Sequence, residues 1–202
     1  MMILGTILFL TCFSVTNAAD IDSCLSVLRP AFTITEAVLL DVPARWPERR
    51  RLVDTERETF LRDAGYADST GNIAKAIVAE VLEACTIGTS TLEVRLMRVR
   101  GIEGTTDENI YLAVLNGSEI RSRTLVASLQ ATCEATYLRA CSMEQDFSIR
   151  VGQLRHDFNC STDEFLSTEQ LPGLTIRVRQ DGTLSERVDG EQLEPETDEG
   201  EQ

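Results

Sequence analysis

The sequence predicts an α+β fold: a helical N-terminal half packs on a mainly antiparallel sheet from the C-terminal half, and disulfides stabilise the domain. Apolar residues recur at helical spacing through much of the first half, and they alternate with polar residues through much of the second half. Helices followed by strands are typical of α+β domains. The third observation is that the chain has six cysteines, of which only Cys12 lies in the predicted leader.

Residues 1–18 are typical of a secretory signal peptide. No charged side chain precedes Asp20, and the small residues of Thr16-Asn17-Ala18 suit cleavage before Ala19. An uncleaved membrane anchor is the alternative, although about 16 apolar residues are short for a span. We therefore expect an exported protein, periplasmic or extracellular, with a single domain over residues 19–188.

Residues 189–202 form a strongly acidic tail. This segment has seven acidic residues and no basic one, so it carries half of the net charge of −14. It contains one leucine and no aromatic residue, so we expect it to be disordered. Because phosphate binding needs a basic surface, the composition argues against nucleic acid as a partner.

The first half of the chain predicts three helices. A short helix covers residues 20–29 and ends before Pro30, and a surface helix lies between Pro47 and Gly65. Residues 31–40 fit a strand or a helix equally well. The most apolar helix is predicted from Ser69 to Gly88, where we expect the centre of the core. Its apolar face consists of Ile73, Ala74, Ile77, Val78, Val81, Leu82 and Cys85.

Strands dominate the prediction for the second half. Alternation of apolar and polar residues predicts two strands over residues 91–100 and 109–115, which we expect to pair antiparallel. The same alternation predicts a third strand over residues 147–154. Residues 174–179 and 183–188 flank Asp181-Gly182 as in a β-hairpin.

Two further segments favour helices. Residues 119–145 fit either strand alternation or helical spacing, and their alanines and length without Gly or Pro favour a helix. Ser161-Thr162-Asp163-Glu164 resembles a capping box that opens a short helix.

The cysteines outside the leader predict two disulfides and one thiol. Cys24 and Cys85 lie on apolar helix faces, so we pair them. If residues 119–145 form a helix, Cys133 and Cys141 lie about 12 Å apart along its axis, too far for a bridge. Cys160 can then pair with Cys141 or with Cys133, and the other cysteine remains a thiol. We choose Cys141–Cys160 and expect Cys133 to be a buried thiol. The alternative is a covalent dimer through the leftover cysteine.

Arg49, Arg50 and Arg51 form a run of positive charge near the start of the predicted surface helix. Positive charge at a helix N-terminus opposes the helix dipole. Pairing with acidic residues on the same helix would offset this. The alternative is that these arginines bind an anionic partner or the acidic tail.

The sequence predicts no catalytic, cofactor or metal site. His156 is the only histidine, which excludes a multi-histidine metal centre. We therefore expect a non-catalytic binding or assembly protein whose partner is another protein. One alternative is a carboxylate-dependent hydrolase, whose paired acids leave no sequence motif. The other is an inhibitor of a secreted enzyme that presents the loop over residues 101–108.

Overall fold

The computed structural model describes residues 18–101 and 107–190, in which nine strands form one antiparallel sheet in sequence order. The strands are β1 Arg50–Arg51, β2 Val78–Thr86, β3 Leu92–Arg100, β4 Glu108–Asn116, β5 Glu119–Ala131, β6 Ala135–Met143, β7 Ile149–Asn159, β8 Glu164–Val178 and β9 Leu184–Val188. The helices are α1 Ala18–Leu28, α2 Glu36–Leu40, α3 Val42–Arg45 and α4 Asp54–Asp63, with a 3₁₀ turn at Arg29–Phe32.

The prediction of a helical N-terminal half is wrong. The described chain is mainly one antiparallel sheet with four short helices. The 20–29 helix is confirmed as α1, but the predicted surface helix is reduced to α4, since Arg50–Arg51 join the sheet as β1.

The largest error is the predicted central helix over residues 69–88. This segment contains turns followed by β2, in which Val78 to Leu82 are all buried. A strand covered on both faces has a continuous apolar run instead of alternation, and helical spacing can be found in such a run. Asp68 starts one of these turns, since its Oδ1 accepts hydrogen bonds from the backbone N–H groups of Thr70 and Asn72 at 2.8 and 2.9 Å.

The helix predicted over residues 119–145 is also wrong. The segment is the hairpin of β5 and β6, whose turn contains no glycine or proline. Thr132 makes this turn, because its hydroxyl accepts from Glu134 N–H and Ala135 N–H at 3.3 and 3.1 Å. The helical preference of alanine is weak, and pairing in the sheet overrides it.

The predicted capping box at residues 161–164 is a turn between β7 and β8. Thr162 N–H and Asp163 N–H both donate to the carbonyl of Asn159, and Asp163 has a φ of 54°. Asn159 Oδ1 also accepts from Ser161 N–H at 2.9 Å. The side chain of the asparagine therefore starts a turn where we expected a serine to cap a helix.

Several strand predictions are confirmed. β3 and β4 pair antiparallel in unbroken register from Leu92–Asn116 to Arg100–Glu108. β7 includes residues 149–154 of the strand predicted over residues 147–154, and the β8–β9 hairpin turns at Asp181-Gly182. In β3 the half-buried Glu93 and Arg95 alternate with buried apolar residues, which makes the period of two visible in the sequence.

The sheet carries apolar residues on both faces. On one face, α1, the 3₁₀ turn, α2 and α3 cover a large core that includes Val94 and Leu96 of β3. On the other face, α4 covers a smaller core that includes Met97 and Val99 of the same strand. The N-terminal segment is fixed to the sheet by Ile34, which exchanges two backbone hydrogen bonds with Cys141 of β6.

Parts of three predictions lie outside the described residues: residues 1–17 of the leader, residues 102–106 of the loop and residues 191–202 of the tail. Asp189 is described, and its N–H donates to the carbonyl of Gly173 at 2.9 Å. None of the helices in residues 18–101 and 107–190 is both long and apolar enough to span a membrane.

Candidate protein-binding surface

One end of β6, β7 and β8 is far more exposed than the rest of the sheet. We define the distal ribbon as residues 132–137 and 155–170. Every residue of β8 from Glu164 to Gln170 is exposed, and the first residues of this strand pair only with β7.

An aromatic cluster lies on this ribbon, and we define the distal aromatic cluster as His156, Phe158 and Phe165. The Phe165 ring meets Phe158 edge-on at 6.0 Å between centroids, and the His156 ring is 6.3 Å from Phe165. His156 Nδ1 lies 2.8 Å from the hydroxyl of Thr168, which holds the imidazole against the ribbon. Phe165 remains 55% exposed and the adjoining Leu166 59% exposed.

The cluster continues the core face of the sheet. Side chains two residues apart on a strand share a face, so Leu154, His156 and Phe158 of β7 point the same way. Leu154 packs against the large core, whereas Phe158 is half-buried and Phe165 is exposed. The aromatic residues therefore extend an apolar face beyond the part that the N-terminal helices cover.

The other face of the ribbon is polar. Arg155 Nε donates to Asp157 Oδ1 at 2.8 Å, and the guanidinium lies 5.7 Å from the ring centre of Tyr137. Ser167 donates to the second oxygen of Asp157 at 3.1 Å. This face supplies its own hydrogen-bond partners, so it resembles ordinary solvated surface.

The distal ribbon has a net charge of −4 with His156 neutral, since it contains five carboxylates and one arginine. The carboxylates belong to Glu134, Asp157, Asp163, Glu164 and Glu169. An apolar patch with an acidic border complements an apolar surface that is bordered by arginine or lysine.

This surface is absent from the sequence-based prediction, because the short helix predicted to open at Ser161 continues through Phe165 and Leu166. The available signal was a phenylalanine on each side of a polar stretch, Phe158 before and Phe165 after residues 159–164. Aromatic residues that flank a polar turn are typical of a hairpin, where they pair across the strands. In the structure Phe158 and Phe165 are such a pair.

The arginines predicted to bind an anionic partner do not form one free patch. Arg50 makes a bidentate pair with Glu56, with both distances 2.9 Å, and Arg49 Nε lies 3.3 Å from Glu80. Arg51 is exposed in β1. Two of the three guanidiniums are therefore paired with acidic residues of the same chain.

A groove of about 430 Å³ lies between α4 and the sheet. Glu56 and Arg95 are joined at its mouth by a 2.8 Å hydrogen bond, and Arg95 also donates to Glu93. Hydrogen bonds from Arg50 and then Arg95 lower the pKa of Glu56 to about 2. The apolar lining of the groove comes from Leu52, Phe60, Met97, Leu115 and Ile120.

The structure joins Cys24 to Cys85 through a disulfide with a Cα–Cα distance of 5.5 Å. It does not bring Cys141 and Cys160 together. Cys141 is buried, its thiol lies 3.7 Å from the carbonyl of Phe32, and burial raises its pKa to about 12. Cys133 and Cys160 are both exposed on the distal ribbon, whereas we expected Cys133 to be buried.

Within residues 18–101 and 107–190, no group of three or more His, Cys, Asp or Glu side chains is arranged to hold a metal ion. Comparison with known proteins found no matching family model, no matching curated protein and no matching solved structure.

Proposed function

We propose that this chain is an exported, non-catalytic binding protein, and that it assembles with another protein through the distal aromatic cluster. The observation that carries the proposal is the position of Phe165, more than half exposed on a face whose other end is core. Exposed apolar surface that continues a core face is typical of a protein–protein interaction site. Export is supported by the predicted leader and by the disulfide between Cys24 and Cys85.

The expected partner is a protein whose contact surface is apolar with a basic border. Complete burial of a phenylalanine side chain contributes about 1.5–3 kcal/mol, so Phe165 would supply the centre of an interface. Carboxylates of the distal ribbon other than Asp157, which is paired with Arg155 on the polar face, would pair at the rim with arginine or lysine of the partner. Such rim charges act mainly on the association rate.

A second candidate function is the binding of a small apolar acid in the groove beneath α4. The observation that favours it is Arg95, whose Nε is buried without a hydrogen-bond partner among the described residues. A ligand carboxylate that entered the groove as far as this nitrogen would accept its hydrogen bond, while the apolar part of the ligand would contact Met97 and Leu115. Titration with a fluorescent fatty acid, for wild type and Met97→Trp, tests this candidate. Saturable binding that Met97→Trp abolishes supports it, and an equal signal from both proteins contradicts it.

The hydrolase alternative has less support from this groove. A glycoside hydrolase needs one carboxylic acid that stays protonated near neutral pH. The pKa of Glu56 at the groove mouth moves in the opposite direction, to about 2.

The proposed function is tested by site-specific photo-crosslinking in the native host. A photoreactive phenylalanine analogue replaces Phe165 in the full-length chain. The matched control carries the analogue at Val53, which is 59% exposed but lies beside α4. We expect one discrete protein adduct from position 165 and none from position 53. The same adducts from both positions, or none from position 165, would contradict the proposal.

A further inference from the structure

The two exposed cysteines of the distal ribbon lie side by side because two turns meet at one end of the sheet. The β5–β6 turn contains Cys133 and the β7–β8 turn contains Cys160. β6 and β7 pair antiparallel as far as Ala135 and Asp157, and Phe158 N–H donates to the carbonyl of Glu134 at 2.8 Å beyond them. One step further, the same register brings Cys133 next to the start of the β7–β8 turn.

The two thiols are in contact. The thiol of Cys160 shares a hydrogen bond with the thiol of Cys133, and this contact is the main reason that the pKa of Cys160 is raised to about 11. The negative charge of Glu134 acts in the same direction. Formation of a disulfide would bring the two sulfurs from this contact to a bond length of about 2.05 Å.

We propose that Cys133 and Cys160 form a second disulfide, which joins the two hairpin turns at the tip of the distal ribbon and opens and closes with the redox state of the compartment. This inference is independent of the proposed binding function. It replaces the predicted Cys141–Cys160 pair, because Cys141 lies buried against Phe32 on the inner side of the sheet.

The oxidant is a disulfide, either of a small thiol such as glutathione or of an oxidoreductase. The Cys133 thiolate attacks one sulfur of that disulfide, which forms a mixed disulfide and releases the first thiol. The deprotonated Cys160 then attacks the Cys133 sulfur, which closes the bridge and releases the second thiol. Two protein thiols are oxidised, one external disulfide is reduced to two thiols, and the two protons pass to the leaving thiolates.

The bridge between Cys24 and Cys85 provides an internal reference. Cys24 is only 4% exposed in the large core, whereas both sulfurs of the proposed bridge belong to exposed residues. Exposed disulfides are reduced more readily than buried ones. We therefore expect the tip bridge to open at reductant concentrations that leave the Cys24–Cys85 bridge closed.

The test is peptide mapping of the full-length chain after export to an oxidising compartment. Free thiols are alkylated without reductant before digestion. Trypsin cuts after Arg123, Arg139, Arg150, Arg155 and Arg177, so residues 124–139, 140–150 and 156–177 are separate peptides that carry Cys133, Cys141 and Cys160 respectively. We expect the first and third of these peptides to be linked, and the second to be alkylated only after unfolding. The bridge lowers their summed mass by about 2 Da, the two hydrogens lost.

Two variants make the result decisive. Cys141→Ser should leave the link intact, and Cys133→Ser should leave Cys160 free to be alkylated in a monomeric chain. Titration of wild type with glutathione buffers should open the tip bridge first. The proposal is overturned by a link between Cys160 and Cys141, by an interchain dimer, or by alkylation of both Cys133 and Cys160 in folded protein equilibrated with excess oxidised glutathione.

Discussion

Arg98 of β3 donates a 2.8 Å hydrogen bond to Glu80, its cross-strand neighbour in β2, and both side chains are more than 90% buried. The same guanidinium binds both oxygens of Glu108 on the other side, at 2.7 and 2.5 Å. Burial opposes a charged Arg98, but Glu108 and Glu80 more than offset it and raise its pKa. The sheet thus encloses an arginine between two carboxylates.

Replacement of this arginine should be strongly destabilising. Arg98→Met leaves Glu108 without its arginine and leaves Glu80 with only the 3.3 Å contact to Arg49, which should lower the free energy of unfolding by about 3 kcal/mol. Arg177→Met is the control, since its 2.5 Å pair with Asp146 is exposed on both sides and should contribute less than about 1 kcal/mol. Urea unfolding followed by circular dichroism measures both. Equal losses would contradict the buried network.

Glu56 should make part of the stability depend on pH. Its folded pKa of about 2 lies below its ordinary value of 4.5, so its pairing with Arg50 and Arg95 is fully present above pH 4.5 and is lost as the pH falls towards 2. Since its side chain is 38% exposed, solvent screening limits the effect to about 1 kcal/mol or less.

Melting temperatures of wild type and Glu56→Gln between pH 7 and pH 2 test this prediction. The difference between the two proteins should be constant above about pH 5 and should shrink as Glu56 becomes protonated. Glu58→Gln on the same helix controls for the loss of a helix carboxylate. A difference that stays constant down to pH 2 would show that Glu56 titrates normally.

The disulfide between Cys24 and Cys85 ties α1 to β2 and closes a loop of 61 residues in sequence separation. In the chain-entropy model a loop of this size contributes about 4 kcal/mol. We expect Cys24→Ser with Cys85→Ser to lower the free energy of unfolding by roughly that amount. The measurement is made in a Cys133→Ser, Cys160→Ser background, so that only one bridge changes. A loss below about 1 kcal/mol would mean that α1 is held by its apolar contacts alone.

Export predicts a defined N-terminus. Cleavage of the predicted leader between Ala18 and Ala19 removes residues 1–18 and retains Ile21, whose side chain is buried in the large core. Intact-mass measurement on protein recovered from the exported fraction tests this prediction, and the expected mass is that of a chain that begins at Ala19. A mass that still includes residues 1–18 would support an uncleaved anchor.

Strand β3 and strand β2 show which parts of this fold a sequence can reveal. In β3 the charged residues Glu93 and Arg95 alternate with apolar ones, so the period of two is visible. In β2 both faces are covered, and the only buried charge, Glu80, is stabilised by Arg98 from a neighbouring strand. The residues around Glu80 in the sequence therefore do not show that its ion-pair partner is Arg98, which lies in another strand.

The proposed binding surface could not be predicted from the sequence for a related reason. The exposure of Phe165 depends on how far the N-terminal helices extend over the sheet, which is a property of the assembled fold. The contact between the Cys133 and Cys160 thiols likewise follows from the β6–β7 register. The Cys24–Cys85 pair could be proposed because apolar residues surround both cysteines.

The central claim is that Phe165 lies in the interface with another protein, and the most direct measurement is the affinity for the partner that crosslinks at this position. The purified partner is titrated by calorimetry against wild type, Phe165→Ser and the control Val53→Ser, with melting temperatures recorded for all three. Loss of about 2 kcal/mol or more at an interface centre corresponds to at least about a 30-fold weaker dissociation constant. We predict this weakening for Phe165→Ser and an unchanged dissociation constant for Val53→Ser. Equal affinity of wild type and Phe165→Ser would contradict the account.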